Sequence, residues 1–201
     1  NFWALTFVVG DKSKMIINGK RIKTKKTFNV RHPYTNEIIA KVPDASKQDV
    51  VKAMKLSYDK EKNLKPDKRI EILERTARTL KNHSQELAKL ITSESGLCIK
   101  DTTYEINRVY NALTLGAKAV AKIEEDITPK FTDGKNEKPK LRVISEPLDL
   151  VLGITPFNHP MNQVAHKVVP AVMAGTSIVL KPTEKTPLSA LKLAELLHDA
   201  G

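Results

Sequence analysis

Two short stretches place polar side chains directly after apolar runs, the position from which a parallel sheet presents residues to a ligand. Thr155-Pro156-Phe157-Asn158-His159-Pro160 follows Asp149-Leu150-Val151-Leu152-Gly153-Ile154, and Lys181-Pro182-Thr183-Glu184 follows Ser177-Ile178-Val179-Leu180. Neither is a glycine-rich phosphate loop. The lysine and glutamate at the second strand end nonetheless give a donor and an acceptor suited to the two hydroxyls of a ribose. Read without context, Lys181 and Glu184 are a solvated ion pair and Asn158 is a turn residue ahead of Pro160. Cys98, the single cysteine, sits in Ser95-Gly96-Leu97-Cys98-Ile99 with no histidine near it in sequence to activate it. It reads as inert.

The elements that must hold these stretches follow from periodicity. Ile16-Ile17 before Asn18-Gly19 predicts a strand and a hairpin turn, and further strands are expected at 27–30 and 37–42. Ser46 with Asp49 three residues on forms a capping box, opening a helix with Val50, Met54 and Ser57 on one face. Pro66 begins a second helix whose Ile70, Leu73, Ala77 and Leu80 recur at helical spacing. A third carries Leu87, Leu90 and Ile91 up to Gly96, which is placed for a left-handed cap. A fourth has Ile106, Val109, Leu113, Ala117 and Val120 on one stripe, with Arg108 off it.

Residues 124–148 change character. Charged, proline-containing sequence surrounds Asp133-Gly134, and Leu141-Arg142-Val143-Ile144-Ser145 alternates as an exposed ribbon strand would. From 149 onward the chain reads as a βαβα unit. Met161, Val164, Ala165, Val168 and Val172 mark the apolar face of the first helix, and Gly175 ends it. The uniformly apolar run 177–180 suits a parallel strand covered on both faces. Thr186 is expected to cap the last helix, with Pro187 at its first position and Leu191, Ala194 and Leu197 inward. Two parallel strands are fewer than such a sheet usually has. Residues 1–14, ahead of the hairpin that Met15 opens, read as an extension with no folded role.

Composition narrows the partners. A chain of 201 residues with 40% hydrophobic content can bury a core. Its longest apolar run, at 2–9, falls far short of the roughly 20 residues a membrane span needs and lacks the flanks of a secretory signal. One cysteine allows no internal disulfide, which fits a reducing, cytoplasmic setting. A net charge of +11 raises nucleic acid as a partner. The lysines are scattered among glutamates and aromatics are only 5%, so the charge reads as solvated surface, compatible with small anions. Neither nucleic acid nor a membrane is expected as a partner.

The stretches together, with Val164-Ala165-His166-Lys167-Val168-Val169-Pro170-Ala171, Gly175 and Lys185-Thr186-Pro187-Leu188-Ser189-Ala190 in order, resemble the aldehyde dehydrogenase superfamily. Weaker agreement runs back through Arg108 and Glu94-Ser95-Gly96 to Asn18-Gly19-Lys20. The resemblance implies an α/β fold: a helical and strand block over 15–123, an oligomerisation ribbon at 124–148, and the start of a Rossmann-like parallel sheet over 149–201. It implies a homodimer or homotetramer. It assigns Asn158 as the catalytic donor whose amide stabilises the oxyanion formed when a cysteine thiolate attacks the aldehyde carbon. Lys181 and Glu184, with Thr183 between them, become cofactor ligands at the adenosine ribose, over a floor of Ile154, Thr155, Pro156 and Phe157. Glu184 favours NAD, since a carboxylate near the 2′ position repels an added phosphate, with NADP possible. The nucleophilic cysteine and the glutamate that activates water belong to family motifs beyond Gly201, so the 201 residues alone are expected to be inactive.

The family motif usually has Trp before the Asn and an aromatic after it; Phe157 and His159 stand there instead. His159 adds a cationisable donor beside the reacting carbon, and with Arg108 it predicts a substrate pocket for an anionic aldehyde. Phe157-Asn158-His159 and the 160–166 run most resemble phosphonoacetaldehyde dehydrogenases. Lactaldehyde and glyceraldehyde 3-phosphate are alternative substrates, and a non-catalytic nucleotide-binding fragment is the alternative class. By the resemblance His166 decides nothing, being present in many relatives whatever their substrate.

Overall fold

A computed structural model describes residues 5–8, 14–24, 26–58, 64–123 and 146–201. The expected hairpin joins β2 (Lys14–Ile17) to β3 (Lys20–Lys23). Between them Asn18 and Gly19 take φ of 51° and 71°, the left-handed pair that a two-residue turn requires and these residues adopt most easily. β6 (Leu150–Ile154) and β7 (Ser177–Lys181) are parallel, from Leu150 opposite Ser177 to Ile154 opposite Lys181.

The link between hairpin and parallel pair corrects one expectation. β1 (Leu5–Val8) lies parallel to β7 and antiparallel to β2, so the sheet has five strands in the order β3-β2-β1-β7-β6. Part of the 1–14 segment therefore has a folded role. The physical reason is edge satisfaction: a four-residue apolar, β-forming run supplies partners for backbone groups that β7 and β2 would otherwise leave unpaired. β4 (Thr27–Arg31) and β5 (Ile38–Pro43) form a separate antiparallel pair with an irregularity at Val30/Arg31.

α1 (Lys47–Tyr58) opens on the capping box, the Ser46 N–H donating to Asp49 Oδ2 at 2.9 Å and the Asp49 N–H to Ser46 Oγ at 3.2 Å. Its buried residues are Ala53 and Ser57, while Val50 and Met54 stay exposed. The small Ala53 lets the helix sit close on Met15, Ile17 and Val179 of the sheet, which turns the expected Val50–Met54 face partly outward. α2 (Pro66–Asn82), α3 (Ser84–Ser95) and α4 (Ile99–Ile123) form the helical block, and α5 (Pro160–Ala174) and α6 (Pro187–Ala200) follow β6 and β7.

One core runs through the block and the βαβα unit, taking in Leu73, Leu80, Ile91, Ile106, Leu113, Met161, Val168 and Leu197. Gly96 and Gly175 end α3 and α5 at φ of 76° and 72°. At the second of these Arg69 Nη1 donates to Met173 O at 2.7 Å, a cation placed at the negative end of α5. α4 and α5 approach so closely that a Cβ on Gly116 would run into Val169. That approach lets the start of α4 reach the start of α5, which decides the geometry of the site. The expected ribbon lies almost wholly outside the described residues. Among the described residues no helix is long and apolar enough to cross a membrane.

Candidate functional site

The two strand ends are tied to each other before their loops diverge. The Thr155 N–H donates to Lys181 O at 3.3 Å, which carries the β6–β7 pairing one step past the last residue of β6. Beyond it Pro156, Phe157 and Asn158 are exposed and His159 is half-buried, and Pro160 then starts α5. The second loop has the same form: Thr183 is buried with its Oγ1 accepting the Lys185 N–H at 3.4 Å, Glu184 and Lys185 are exposed, and Pro187 starts α6. Thr155 and Thr183, both named from sequence, thus shape the loops from beneath, while Ile154, Pro156, Phe157, Lys181 and Glu184 stand on the surface.

Neither helix start is satisfied locally. Both begin with proline, neither has an acid in its first turn, and neither His159 nor Thr186 makes a side-chain capping bond. The expected Thr186 cap is therefore corrected, its hydroxyl being buried without a partner among the described residues. Two buried glutamates from the helical block do the capping. Glu105 Oε1 accepts the N–H groups of Met161 and Asn162, both at 2.9 Å, and Glu94 accepts those of Leu188 at 2.6 Å and Ser189 at 2.8 Å. They are 1% and 3% exposed. A carboxylate at a helix N-terminus meets both the free N–H groups and the positive end of the dipole. Sequence reasoning quoted Glu94 only within a family motif and missed Glu105. The available signal was negative: a proline-led helix with no local acceptor needs one from elsewhere in the fold.

Glu105 also reaches the candidate loop. Its second oxygen, Oε2, is 3.6 Å from His159 Nδ1, and the imidazole is 42% exposed. One turn further along α4 stands Arg108, exposed to solvent. Of the three residues singled out around this loop, His159 faces Glu105, Asn158 precedes it on the exposed loop, and Arg108 stands on the surface of α4 one turn beyond Glu105. At the other loop Lys181 Nζ and Glu184 Oε2 are 3.7 Å apart on the surface. A backbone hydrogen bond within Glu184 and the nearby Lys181 hold the Glu184 carboxyl below its ordinary value. Lys185 Nζ stands 4.6 Å from the centroid of the Phe157 ring, linking the two loops. An apolar cleft between α1 and the ends of β6 and β7 has Ile154, Lys181 and Pro182 in its wall. Cys98 is exposed between α3 and α4 and belongs to neither loop. No cluster able to hold a metal ion occurs among the described residues.

Burial pushes the Glu94 carboxyl up from 4.5 to about 7, against the hydrogen bonds from Ser189 and Leu188 that lower it; the charge of Glu105 adds to the rise. A carboxyl whose folded value exceeds its unfolded value takes up a proton on folding. Its contribution to stability is whole below about pH 4.5 and is lost as the pH rises through about 7. The shift corresponds to about 3 kcal/mol. Urea unfolding should show stability falling between about pH 5 and 8, with a flatter slope in Glu94→Gln. An identical slope in wild type and variant would remove Glu94 as the titrating group.

Comparison with known proteins bears on these loops. Residues 21–201 match the family model described as the aldehyde dehydrogenase family. The chain is 36% identical over 188 residues to a 3-sulfolactaldehyde dehydrogenase of Priestia aryabhattai, covering 93% of this chain and 39% of that protein. It is also 36% identical over 187 residues to a lactaldehyde dehydrogenase of Methanococcus aeolicus, covering 92% and 39%. Among solved structures, a glyceraldehyde-3-phosphate dehydrogenase of Methanocaldococcus jannaschii complexed with NADP aligns with a TM-score of 0.73 at 30% identity, over 88% of this chain and 38% of that one. The chain thus spans well under half the length of the proteins it matches.

Proposed function

Because the chain belongs to the aldehyde dehydrogenase family, we propose that it forms part of an NAD(P)-dependent enzyme oxidising a small anionic aldehyde, phosphonoacetaldehyde, to its carboxylic acid. The observation that supports the anionic class is the approach of His159, which follows Asn158, to Glu105 on α4, the helix that carries the exposed Arg108 one turn further on. A relative named for 3-sulfolactaldehyde, whose sulfonate resembles a phosphonate in shape and charge, supports the same class.

Asn158 has the chemistry for the central step. A neutral amide in a loop fixed at both ends can donate to the oxyanion that forms as a thiolate adds to the aldehyde carbon, stabilising charge absent from the ground state. The cofactor, when bound, takes up the hydride that leaves that carbon. The donor set fits it: Lys181 and Glu184 offer an ammonium and a carboxylate 3.7 Å apart at a strand end, a donor and an acceptor for vicinal hydroxyls. Thr155, Thr183 and the 154–157 backbone serve as its floor. The carboxylate favours NAD over NADP. The 124–148 segment joins subunits into a dimer or tetramer, in a cytoplasmic enzyme.

Lactaldehyde is the second reading, favoured by the identity to the archaeal enzyme. Steady-state rates of the full-length protein separate the two. Phosphonoacetaldehyde should exceed lactaldehyde in kcat/KM by roughly tenfold or more, the effect of one charge-assisted contact. The reverse order would transfer the assignment to lactaldehyde.

A further inference from the structure

Glu105 divides its two oxygens between two tasks. Oε1 accepts the N–H groups of Met161 and Asn162, both at 2.9 Å, and so closes the start of α5. Oε2 is left over. It is buried with the rest of a side chain that is 1% exposed, and no hydrogen bond reaches it from the described residues. A buried carboxylate oxygen in that state is costly and calls for a donor. The nitrogen beside it is His159 Nδ1, at 3.6 Å.

That distance exceeds a hydrogen bond by about half an ångström. The imidazole is the partner that can close it. Glu105 is held by two N–H groups, whereas the ring is 42% exposed and, although His159 stands at the N-cap of α5, makes no side-chain capping bond. A carboxylate at a helix N-terminus is an acceptor only, so the proton of this contact comes from Nδ1. In a neutral imidazole the other nitrogen is then bare. The two nitrogens lie on opposite sides of the ring, so Nδ1 facing inward leaves Nε2 facing away from Glu105.

We propose that Glu105 is a positioning residue that holds His159 with its proton on Nδ1, so that Nε2 serves as a hydrogen-bond acceptor for an anion carrying its own proton. A phosphonate monoanion has such a P–O–H group. A sulfonate, of similar shape, has none. The neutral imidazole thus sorts two kinds of anionic aldehyde by whether they bring a proton. The sorting rests on the anionic-aldehyde reading above, while the position of the histidine proton is independent of it.

Nitrogen NMR spectra of histidine-labelled full-length protein at about pH 8, where an ordinary imidazole is neutral, should show the His159 proton on Nδ1. Neutral histidine in water prefers the reverse. His159→Asn identifies the signals by their loss. In Glu105→Gln the amide keeps an oxygen for the two α5 N–H groups and offers an N–H to Nδ1, so the proton should move to Nε2. At about pH 7 the unaltered enzyme should favour phosphonoacetaldehyde over sulfoacetaldehyde in kcat/KM, and Glu105→Gln should cut that preference by roughly 5- to 10-fold, the effect of one hydrogen bond. His159→Asn, which leaves the Glu105 cap in place, should cut it as well. A proton on Nε2 in the unaltered protein overturns the proposal. So does an unchanged preference in both variants with the two aldehydes slowed alike, which makes Glu105 a helix cap alone. If the unaltered protein oxidises neither anionic aldehyde, the substrate reading falls instead, and the spectra still decide where the proton lies.

Discussion

Asn158→Ala in the full-length enzyme should lower kcat by roughly 10²- to 10³-fold, with KM almost unchanged, for charged and uncharged aldehydes alike. The size follows from where the residue sits. The 155–159 loop is fixed at its start by the Thr155 N–H bonded to Lys181 O and at its end by Glu105 on the first turn of α5. A loop anchored at both ends carries the amide on backbone that need not reorganise as the oxyanion appears, so its contribution is expected to fall on the transition state. The side chain is exposed, so its removal should leave the unfolding midpoint nearly unaltered. Steady-state kinetics and thermal unfolding of one preparation measure both quantities. A raised KM at constant kcat would make Asn158 a substrate-binding residue. A loss below about twofold would reduce it to the turn residue that its place before His159-Pro160 also allows.

The sequence makes legible those features that depend on local pattern. The Ile106–Val120 stripe of α4, the Asn18-Gly19 turn and the Ser46–Asp49 capping box all form as their spacing predicts, because each is decided within one or two turns of chain. Lys181 and Glu184 could be placed for the same reason, lying three residues apart at the end of an apolar strand. Features decided between distant segments were not legible. Glu105 meets α5 across a separation of 56 residues and Glu94 meets α6 across 94, and no periodicity carries that information. Thr186, by contrast, satisfied every local rule for a cap and lost the position to Glu94. β1 was misjudged for a related reason. The edge of β7 that its four residues cover is more than 160 residues away in the chain.

The two glutamates give the site a support independent of its ligands. Each terminates a helix that follows a strand and each belongs to the helical block, so the block fixes where both loops begin their helices. Glu105 does this with one oxygen and faces His159 with the other. Any charge on the imidazole is therefore partly offset from within the protein. Arg108 lies on the same helix one turn further on, at the solvent surface. Of the two side chains, the guanidinium is the one at the solvent surface, while the imidazole faces a carboxylate.

Arg108→Ala should accordingly raise KM for phosphonoacetaldehyde by roughly 10- to 100-fold in the full-length enzyme, the effect of losing charge-assisted and often bidentate bonds to phosphonate oxygens. An uncharged aldehyde of similar size should respond little, since it has no anion to lose contact with. His159→Ala should weaken the phosphonate substrate less, because Glu105 Oε2 stands 3.6 Å from its Nδ1 and already answers its charge. Arg108→Lys should recover only part of the loss, as an ammonium supplies charge without the planar pair of donors. Asn158→Ala is the internal reference, depressing turnover for both aldehydes without sorting them by charge. The kinetic constants of the four variants on the two aldehydes decide the matter. If Arg108→Ala slows both substrates equally, or neither, Arg108 does not bind the anionic group, and a generic small-aldehyde dehydrogenase becomes the better reading.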